Sequence, residues 1–482
     1  MLFNSIQYAF FLPIVFILYW AIPKHFRWGI LLVSSYYFYM NWNPKYVVLI
    51  LFTTLISFLC ALMIEKTKNI KLKKVYIAVT LIVSLGVLFV FKYFNFFMDS
   101  LYVLLTNMGF HVHTITLKLL LPVGISFYTF QTLSYVIDVY RGDVSAEHHF
   151  GKYAAFISFF PQLVAGPIER TSNLLPQINK PNDFSYKKAA YGMKLMAWGF
   201  FKKIIISDTF AIYVDNVYNN LSAYTGFSLV IATVLFAVQI YCDFSGYSDI
   251  AIGSANLFNI DLMQNFRSPY FSASIKEFWT RWHISLSTWF RDYLYIPLGG
   301  NRCGKLRHYS NLIITFLVSG LWHGASWTFV LWGFIHGVGQ VVENLFSSGK
   351  KKNIEHKHNL RWLCSVIFIF VFCNFTWIFF RVSDIREAGY IFKNIFSGIS
   401  APLLYLKSGF TAMGIWLYEI ESIIIMLVVL FAFDYFNLKT DVIEKISTLN
   451  IFTRWIIYLA FAILTLIMYP SVYGGQFIYF QF

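Results

Sequence analysis

Charged side chains are scarce in this chain. Only 13% of its 482 residues are Asp, Glu, Lys or Arg, whereas 58% are hydrophobic, and the mean hydropathy is +0.60. A soluble globular domain carries about 25% charged residues. The composition therefore excludes an ordinary water-soluble enzyme.

Cysteine is also scarce, and the glycine-rich loops that bind phosphate are missing. The five cysteines are odd in number and lie mostly within apolar runs: Cys60, Cys242, Cys303, Cys364 and Cys373. Their spacing matches neither a disulfide framework nor a paired metal site. No P-loop or dinucleotide fingerprint occurs. We therefore expect no bound metal and no nucleotide fold of the familiar kinds.

Long apolar runs are abundant. About 20 helical residues cross a hydrocarbon core of ~30 Å, and helices satisfy their own backbone hydrogen bonds in lipid. The sequence therefore predicts an all-α, polytopic membrane protein, a single membrane-embedded domain over residues 1–482 with about 11–12 transmembrane helices. The predicted spans are residues 5–22, 28–41, 44–64, 75–98, 121–138, 151–166, 190–206, 225–242, 310–335, 362–380, 412–434 and 453–470.

Several of these spans are interrupted by proline, glycine or polar residues, as at Leu121-Pro122-Val123-Gly124 and Phe160-Pro161-Gln162. Irregular backbone survives at membrane depth only where it is buried in protein or lines a cavity. We therefore expect re-entrant or broken segments. The first span has no basic n-region and no cleavage site, which predicts a retained helix and not a signal peptide.

Basic residues concentrate in two short stretches between predicted spans. They are Lys66, Lys68, Lys71, Lys73 and Lys74 in the first, and Lys350, Lys351, Lys352, Lys357 and Arg361 in the second. The positive-inside rule places both stretches in the cytoplasm. Counting spans outward from them places both termini outside. Topology and anionic lipid explain the net charge of +15 better than nucleic acid does.

A single histidine stands inside the apolar segment Gly320-Leu321-Trp322-His323-Gly324. An ionisable side chain at membrane depth is costly and commonly functional, although a neutral imidazole bonded between helices is the alternative. The flanking glycines permit close approach and a helix break. Histidine transfers protons near neutral pH, so His323 is the candidate base. His336, ~220° away on an unbroken helix, is assigned a packing role.

The segment 265–307 is too polar to cross lipid and too aromatic to be a free loop. Charges alternate with Trp and Tyr, as in Trp279-Thr280-Arg281-Trp282-His283 and Trp289-Phe290-Arg291-Asp292. This pattern predicts an amphipathic segment at the cytoplasmic face. It is either an interfacial belt or the mouth of a site for a phosphate-bearing ligand, since Arg matches phosphate oxygens. His283 would lie near that mouth and His323 at its base.

Six motifs follow one another along nearly the whole chain. They are Met1-Leu2-Phe3-Asn4-Ser5, Pro122-Val123-Gly124-Ile125-Ser126-Phe127, Ala165-Gly166-Pro167-Ile168, Arg281-Trp282-His283-Ile284-Ser285-Leu286-Ser287-Thr288-Trp289, Gly320-Leu321-Trp322-His323-Gly324 and Phe477-Ile478-Tyr479-Phe480. As an ordered set they resemble the membrane-bound O-acyltransferase superfamily, in particular its bacterial alginate and peptidoglycan O-acetyltransferases. The resemblance implies a ring of helices around a thinned central cavity.

The resemblance also implies roles. His323 corresponds to the catalytic histidine and His283 to the second histidine of the bacterial branch. The implied donor is cytoplasmic acetyl-CoA, whose diphosphate would meet Arg and Lys residues of the segment 267–307. Arg281, Arg291 and Trp322 are the residues named for donor binding, and the thioester would reach His323. The implied partners are a polysaccharide acceptor and an extracytoplasmic, esterase-like SGNH protein with a nucleophilic serine. The implied location is the bacterial inner membrane.

The C-terminal tail, residues 474–482, is aromatic and carries no charge. Aromatic residues anchor proteins at membrane boundaries, which is one interpretation. The tail also resembles a Phe-x-Tyr-Phe tail of this branch and of a partner peptide of D-alanyl transferases, which implies that the Tyr479 hydroxyl carries the acyl group. A phenol with a pKa of about 10 needs an adjacent base for this.

Three other functions are weighed against this one. The D-alanyl transferases of teichoic acid share much of the same core. A proton-coupled transporter would need two corresponding halves with broken helices in matching positions, and no such repeat is visible. A non-catalytic scaffold of an export complex would tolerate loss of the His323 imidazole.

Overall fold

The computed structural model describes residues 1–180, 183–346, 359–469 and 477–478. The chain forms two compact units: Met1–Met196 with Tyr247–Met263, and Ala197–Gly246 with Gln264–Phe482. Helices supply the regular structure, and no strand occurs within the described ranges. The predicted all-α class is confirmed. That the chain is one membrane-embedded domain stays a prediction.

The first eleven α-helices in chain order are α1 (Ile6–Ala21), α2 (Arg27–Met40), α3 (Val47–Lys66), α4 (Ile70–Leu88), α5 (Phe94–Asn107), α6 (Ile125–Arg141), α7 (Phe150–Ser158), α8 (Thr171–Asn179), α9 (Tyr186–Phe200), α10 (Asp208–Tyr218) and α11 (Phe227–Leu257). The others are α12 (Ile275–Arg281), α13 (Ile284–Phe290), α14 (Lys305–His323), α15 (Trp327–Phe346), α16 (Leu360–Arg381), α17 (Ile385–Asn394), α18 (Pro402–Ala412), α19 (Leu417–Asn437), α20 (Val442–Ser447) and α21 (Ile451–Ile467).

Several helices are long and apolar enough to cross a membrane. Within the part of the chain that the structure describes, four helical stretches have the length and composition to cross a membrane: Pro44–Lys66, Ile70–Asn107, Phe227–Leu257 and Leu360–Arg381. Helices α18 and α19 together also have the required length and composition, but they are bent by 94°. Counting this bent pair as one span gives up to five candidate spans in the described residues. The protein is a multi-pass membrane protein with a broken helix pair. The predicted number of 11–12 spans stays a prediction, because many of those spans coincide with short or broken helices.

In the first unit, two of the predicted interruptions meet. Gly124 precedes α6 with a φ of +76°, and an added Cβ there would lie 2.5 Å from the carbonyl oxygen of Leu163. The non-helical chain after α7 contains Leu163, and Gln162 donates to the Gln131 side chain of α6 at 3.0 Å. Glycine is required at position 124 because only a residue without Cβ tolerates both this φ and this approach.

In the second unit, α14 and α15 pack against each other as a helical hairpin. The predicted single span 310–335 is therefore wrong: the helix ends at His323 and a new one begins at Trp327. Hydropathy cannot distinguish the two cases, since the connecting residues are small and uncharged. Close packing depends on glycine, because a Cβ on Gly320 would overlap the Phe329 carbonyl oxygen and one on Gly333 would overlap that of Phe316.

We predict that Gly320→Ala separates the two helices of this hairpin and lowers the thermal stability of the detergent-solubilised protein. Overpacking of this kind costs about 1–3 kcal/mol. The matched control is Gly86→Ala in α4, where an added Cβ meets nothing within 4 Å and the helix gains propensity. Equal melting temperatures for the Gly320 variant and the unmodified protein would contradict the packing described above.

Candidate active site

His323 is the last residue of α14, and its side chain is buried. Gly324 follows in an extended conformation (φ −157°, ψ 148°) and ends the helix. The imidazole packs among aromatic rings, with centroid distances of 5.0 Å to Trp322, 5.1 Å to Trp332 and 5.3 Å to Phe380. The helix break, which the flanking glycines permit, thus presents His323 to an aromatic interior.

His283 lies beside it. The two imidazole centroids are 6.3 Å apart, and His283 is 6.0 Å from the Trp322 ring. We call His283, His323, Trp322, Trp332 and Phe380 the histidine cluster. The prediction that His283 lies near the mouth of a cavity is wrong, because its side chain is 0% exposed.

The backbone of His283 is unusual. Its φ of +44° and ψ of 54° lie in the left-handed region, which costs a non-glycine residue of order 1–3 kcal/mol and recurs at functional sites. This conformation turns the chain sharply between α12 and α13. The turn is stabilised by Asn265, whose backbone oxygen accepts from the Ile284 N–H at 2.9 Å.

The side chain of Asn265 sets the tautomer of His283. Its Oδ1 accepts from the Ser285 N–H at 3.2 Å and from the Ser285 hydroxyl at 2.7 Å. The same atom lies 3.3 Å from His283 Nδ1. Because a backbone N–H can only donate, this atom of Asn265 is the oxygen, and His283 Nδ1 must carry the hydrogen. The lone pair of the neutral ring is therefore on Nε2.

Burial also determines the charge of His283. Desolvation disfavours the imidazolium and lowers the pKa of His283 to about 3. The ring is therefore neutral at physiological pH. A neutral imidazole with a fixed tautomer can accept a hydrogen bond at Nε2, but a pKa this low makes it a weak base.

A cavity of about 580 Å³ lies next to the histidine cluster. Its lining includes Ile284, which follows His283, and Ser319, one turn before His323 on α14. Lys276 and Arg291 contribute positive charge, and no Asp or Glu is among the lining residues that the structure describes. Hydroxyl groups, including that of Ser287, add hydrogen-bonding capacity. We call this the basic cavity, and its size suits a small-molecule ligand with anionic groups.

The two predicted phosphate-binding arginines differ in position. Arg291 lines the basic cavity with a side chain that is 59% exposed, and its guanidinium bonds Asp292 at 2.7 and 3.3 Å. Arg281 is not part of that lining. It pairs instead with Glu277 on its own helix at 2.8 Å, so the structure favours a structural role for it.

The two remaining predicted site residues are Trp322 and Tyr479. Trp322 is buried beside both histidines and does not line the basic cavity. Tyr479 lies outside the described residues. Just before it, Phe477 and Ile478 are buried, and the Phe477 ring is 6.1 Å from Phe244, whose ring in turn is 4.6 Å from His283.

His336 is buried in α15 with both ring nitrogens engaged. Nδ1 accepts from the Trp279 indole at 3.3 Å, and Nε2 lies 3.1 Å from the Thr376 hydroxyl. This arrangement is the packing role expected for it. The predicted angular separation from His323 has no meaning in this fold, since the helix is broken between them.

Two residues of the site were not singled out by the sequence. Asn265 opens the polar segment 265–307, and an amide followed by phenylalanine and arginine carries no distinctive pattern. Lys276 is one of many interspersed charges. Only the fold reveals that Asn265 holds His283 and that Lys276 faces the basic cavity.

Comparisons with known proteins agree with the sequence motifs. The model of the membrane-bound O-acyltransferase family matches residues 144–383. A probable alginate O-acetylase of Pseudomonas aeruginosa is 38% identical over 82% of this chain and 75% of its own length. A peptidoglycan O-acetyltransferase of Helicobacter pylori is 34% identical over 84% and 82%, respectively. A teichoic acid D-alanyltransferase of Streptococcus thermophilus is 32% identical over 49% and 60%.

Proposed function

Because the chain belongs to the membrane-bound O-acyltransferase family, we propose that this enzyme transfers acetyl groups from cytoplasmic acetyl-CoA across the membrane to a polysaccharide. One observation carries the proposal: two histidines 40 positions apart in sequence come within 6.3 Å in a buried aromatic cluster beside a cavity lined with positive charge. The relatives named for alginate and peptidoglycan O-acetylation support acetyl as the acyl group and a cell-wall or secreted polysaccharide as acceptor.

The basic cavity is the proposed donor site. The phosphates of acetyl-CoA would bind Arg291 and Lys276, since ionised donors bind phosphate oxygens strongly. The thioester would then lie toward Ser319 and His323. Coenzyme A is too polar to cross the membrane, so only the acetyl group passes on. Arg281 was the second predicted phosphate ligand, and its pairing with Glu277 favours Lys276 in its place.

His323 is the proposed general base. It accepts the proton of an attacking hydroxyl, the oxygen bonds the acetyl carbon, and the carbon–sulfur bond of the thioester breaks. The departing thiolate of coenzyme A then takes the proton from the imidazolium. His283, held neutral by burial, offers Nε2 to orient the attacking hydroxyl. The aromatic rings of the histidine cluster exclude water, which would otherwise hydrolyse the acyl group.

The attacking hydroxyl is proposed to be that of Tyr479. Ile478 is buried and donates its N–H to Asp243, the residue before Phe244, whose ring lies 4.6 Å from His283. Consecutive Cα atoms are only about 3.8 Å apart. The phenyl ester formed there would then pass its acetyl group to the serine of an extracytoplasmic SGNH-type partner, and the phenol would recover its proton. The distribution of basic residues supports a bacterial inner-membrane location with both termini outside.

The second candidate is transfer of D-alanine to teichoic acid. The relative with that name matches about half of this chain, whereas the acetyltransferases match more than four fifths. The longer match favours acetyl. Membership of an acyltransferase family removes the reason for the transporter and scaffold alternatives.

We predict that His323→Ala abolishes acetylation while leaving membrane levels of the protein normal. A positioned base contributes ~10²–10⁴-fold to the rate. His323→Gln keeps a polar group without accepting a proton and should be equally inactive. The matched control is His111→Ala, at an exposed position in the first unit. Polymer acetylation at the unmodified rate by His323→Ala would disprove the assignment.

We predict that Arg291→Glu raises the KM for acetyl-CoA by roughly ten- to a hundredfold, because a hydrogen bond to a charged group contributes about 1.5–3 kcal/mol. The kcat should change little. Thermal stability should also change little, because an exposed ion pair contributes only about 0–1 kcal/mol. Asp292→Asn is the control, since it removes the neighbouring charge and keeps Arg291. Reaction of Arg291→Cys with impermeant thiol reagents only from outside the cell would overturn the topology.

We predict that Tyr479→Phe loses polymer acetylation at normal membrane levels. The change removes one oxygen and retains an aromatic ring, so a membrane anchor would be unaffected. Phe480→Tyr is the companion variant, because it adds a hydroxyl to the neighbouring position without removing the proposed carrier. If Tyr479→Phe acetylates the polymer fully, the tail is an anchor and the carrier role is wrong.

A further inference from the structure

Asp243 is a buried carboxylate that the mechanism above does not use. It lies at the middle of α11, the apolar helix Phe227–Leu257, and is 1% exposed. An ionised side chain at membrane depth persists only when its charge and lone pairs are satisfied. The partners of Asp243 therefore indicate what it does.

The first partner is Lys203. Its ammonium lies 2.5 Å from Asp243 Oδ1 and 2.8 Å from Asp208 Oδ1. Lys203 belongs to the π-helical turn Phe201–Ser207 that joins α9 to α10. α11 approaches this turn closely at Gly246, where an added Cβ would lie 2.7 Å from the Gly199 carbonyl oxygen. Two carboxylates, those of Asp243 and Asp208, therefore share the Lys203 ammonium.

The second partner is the C-terminal tail. The backbone N–H of Ile478 donates to Asp243 Oδ2 at 2.8 Å. Ile478 and Phe477 are both buried. The next residue of α11, Phe244, places its ring 6.1 Å from Phe477 and 4.6 Å from His283. One turn of α11 therefore contacts the tail backbone, the tail side chain and the histidine cluster.

We propose that Asp243, oriented by Lys203, is the residue that anchors the C-terminal tail beside the histidine cluster, and that it is a positioning residue for acyl transfer. The inference rests on the proposed function for its catalytic meaning. A hydrogen bond to a carboxylate is stronger than one to a neutral acceptor, and the ion pair fixes the direction of the carboxylate. The tail is thereby held at one register, with Tyr479 adjacent to the anchored residue.

The test uses Ile478→Cys as a reporter of tail position in the full-length, detergent-solubilised enzyme. Cys303 and Cys364, the half-buried and the exposed native thiols, are replaced by serine. The rate of reaction with N-ethylmaleimide is then compared in three variants of this background. Asp243→Leu removes the acceptor, Asp243→Asn keeps a neutral acceptor, and Asp208→Asn removes the other carboxylate on Lys203 without touching the tail.

We expect the reporter to be protected in the parent background and in Asp208→Asn. Asp243→Leu should speed its reaction by roughly tenfold or more, and Asp243→Asn by less. In the chain with native Ile478, Asp243→Leu should lower kcat for polymer acetylation and leave the KM for acetyl-CoA unchanged. Asp243→Asn and Asp208→Asn each remove one of the two carboxylates that contact Lys203. If Asp243 only stabilised the fold, the two variants should therefore label the reporter at the same rate.

Three results would overturn the proposal. They are fast labelling in the parent background, continued protection in Asp243→Leu, and equal rates for Asp243→Asn and Asp208→Asn. The last comparison decides the matter if Asp243→Leu does not reach the membrane. The labelling does not involve the Tyr479 hydroxyl, so an active Tyr479→Phe enzyme together with the expected labelling order would reject the carrier and retain the anchor.

Discussion

Polar groups buried away from water must find partners inside the protein, and the site depends on this constraint. Two imidazoles lie among tryptophan and phenylalanine rings, where an imidazolium would be poorly solvated. Asn265 meets the constraint for His283 by accepting three hydrogen bonds at one oxygen. It thereby fixes both the left-handed turn and the tautomer. The consequence is a neutral, oriented His283 ring beside the buried His323.

The same constraint separates the polar lining of the basic cavity from the aromatic surroundings of the two histidines. The basic cavity contains the charges and hydroxyl groups that suit a polyanionic donor. The histidine cluster next to it contains aromatic rings that exclude water. Of the tail, Phe477 and Ile478 are buried: the Phe477 ring lies 6.1 Å from Phe244, and the Ile478 N–H donates to Asp243. In the proposed mechanism, a reactive acyl group would pass from the basic cavity into the histidine cluster, where hydrolysis is suppressed.

Sequence patterns predicted the all-α membrane fold and the interruptions at Gly124 and Pro161. They did so because hydropathy and glycine placement are local properties. The hairpin at 324–326 was missed, since a tight turn of small residues is as apolar as a helix. The burial of His283 and the roles of Asn265 and Asp243 were also missed. Each depends on contacts between residues distant in sequence, such as Asp243 with Ile478.

The central claim is that acetyl moves from coenzyme A to the tail through the histidine cluster. The most direct measurement is mass spectrometry of the C-terminal peptide after the purified enzyme, without its extracytoplasmic partner, meets isotope-labelled acetyl-CoA. The account predicts a labelled acetyl ester on Tyr479 that is absent when His323 is replaced by alanine. Consumption of acetyl-CoA with unlabelled Tyr479, or label on another residue, would contradict it.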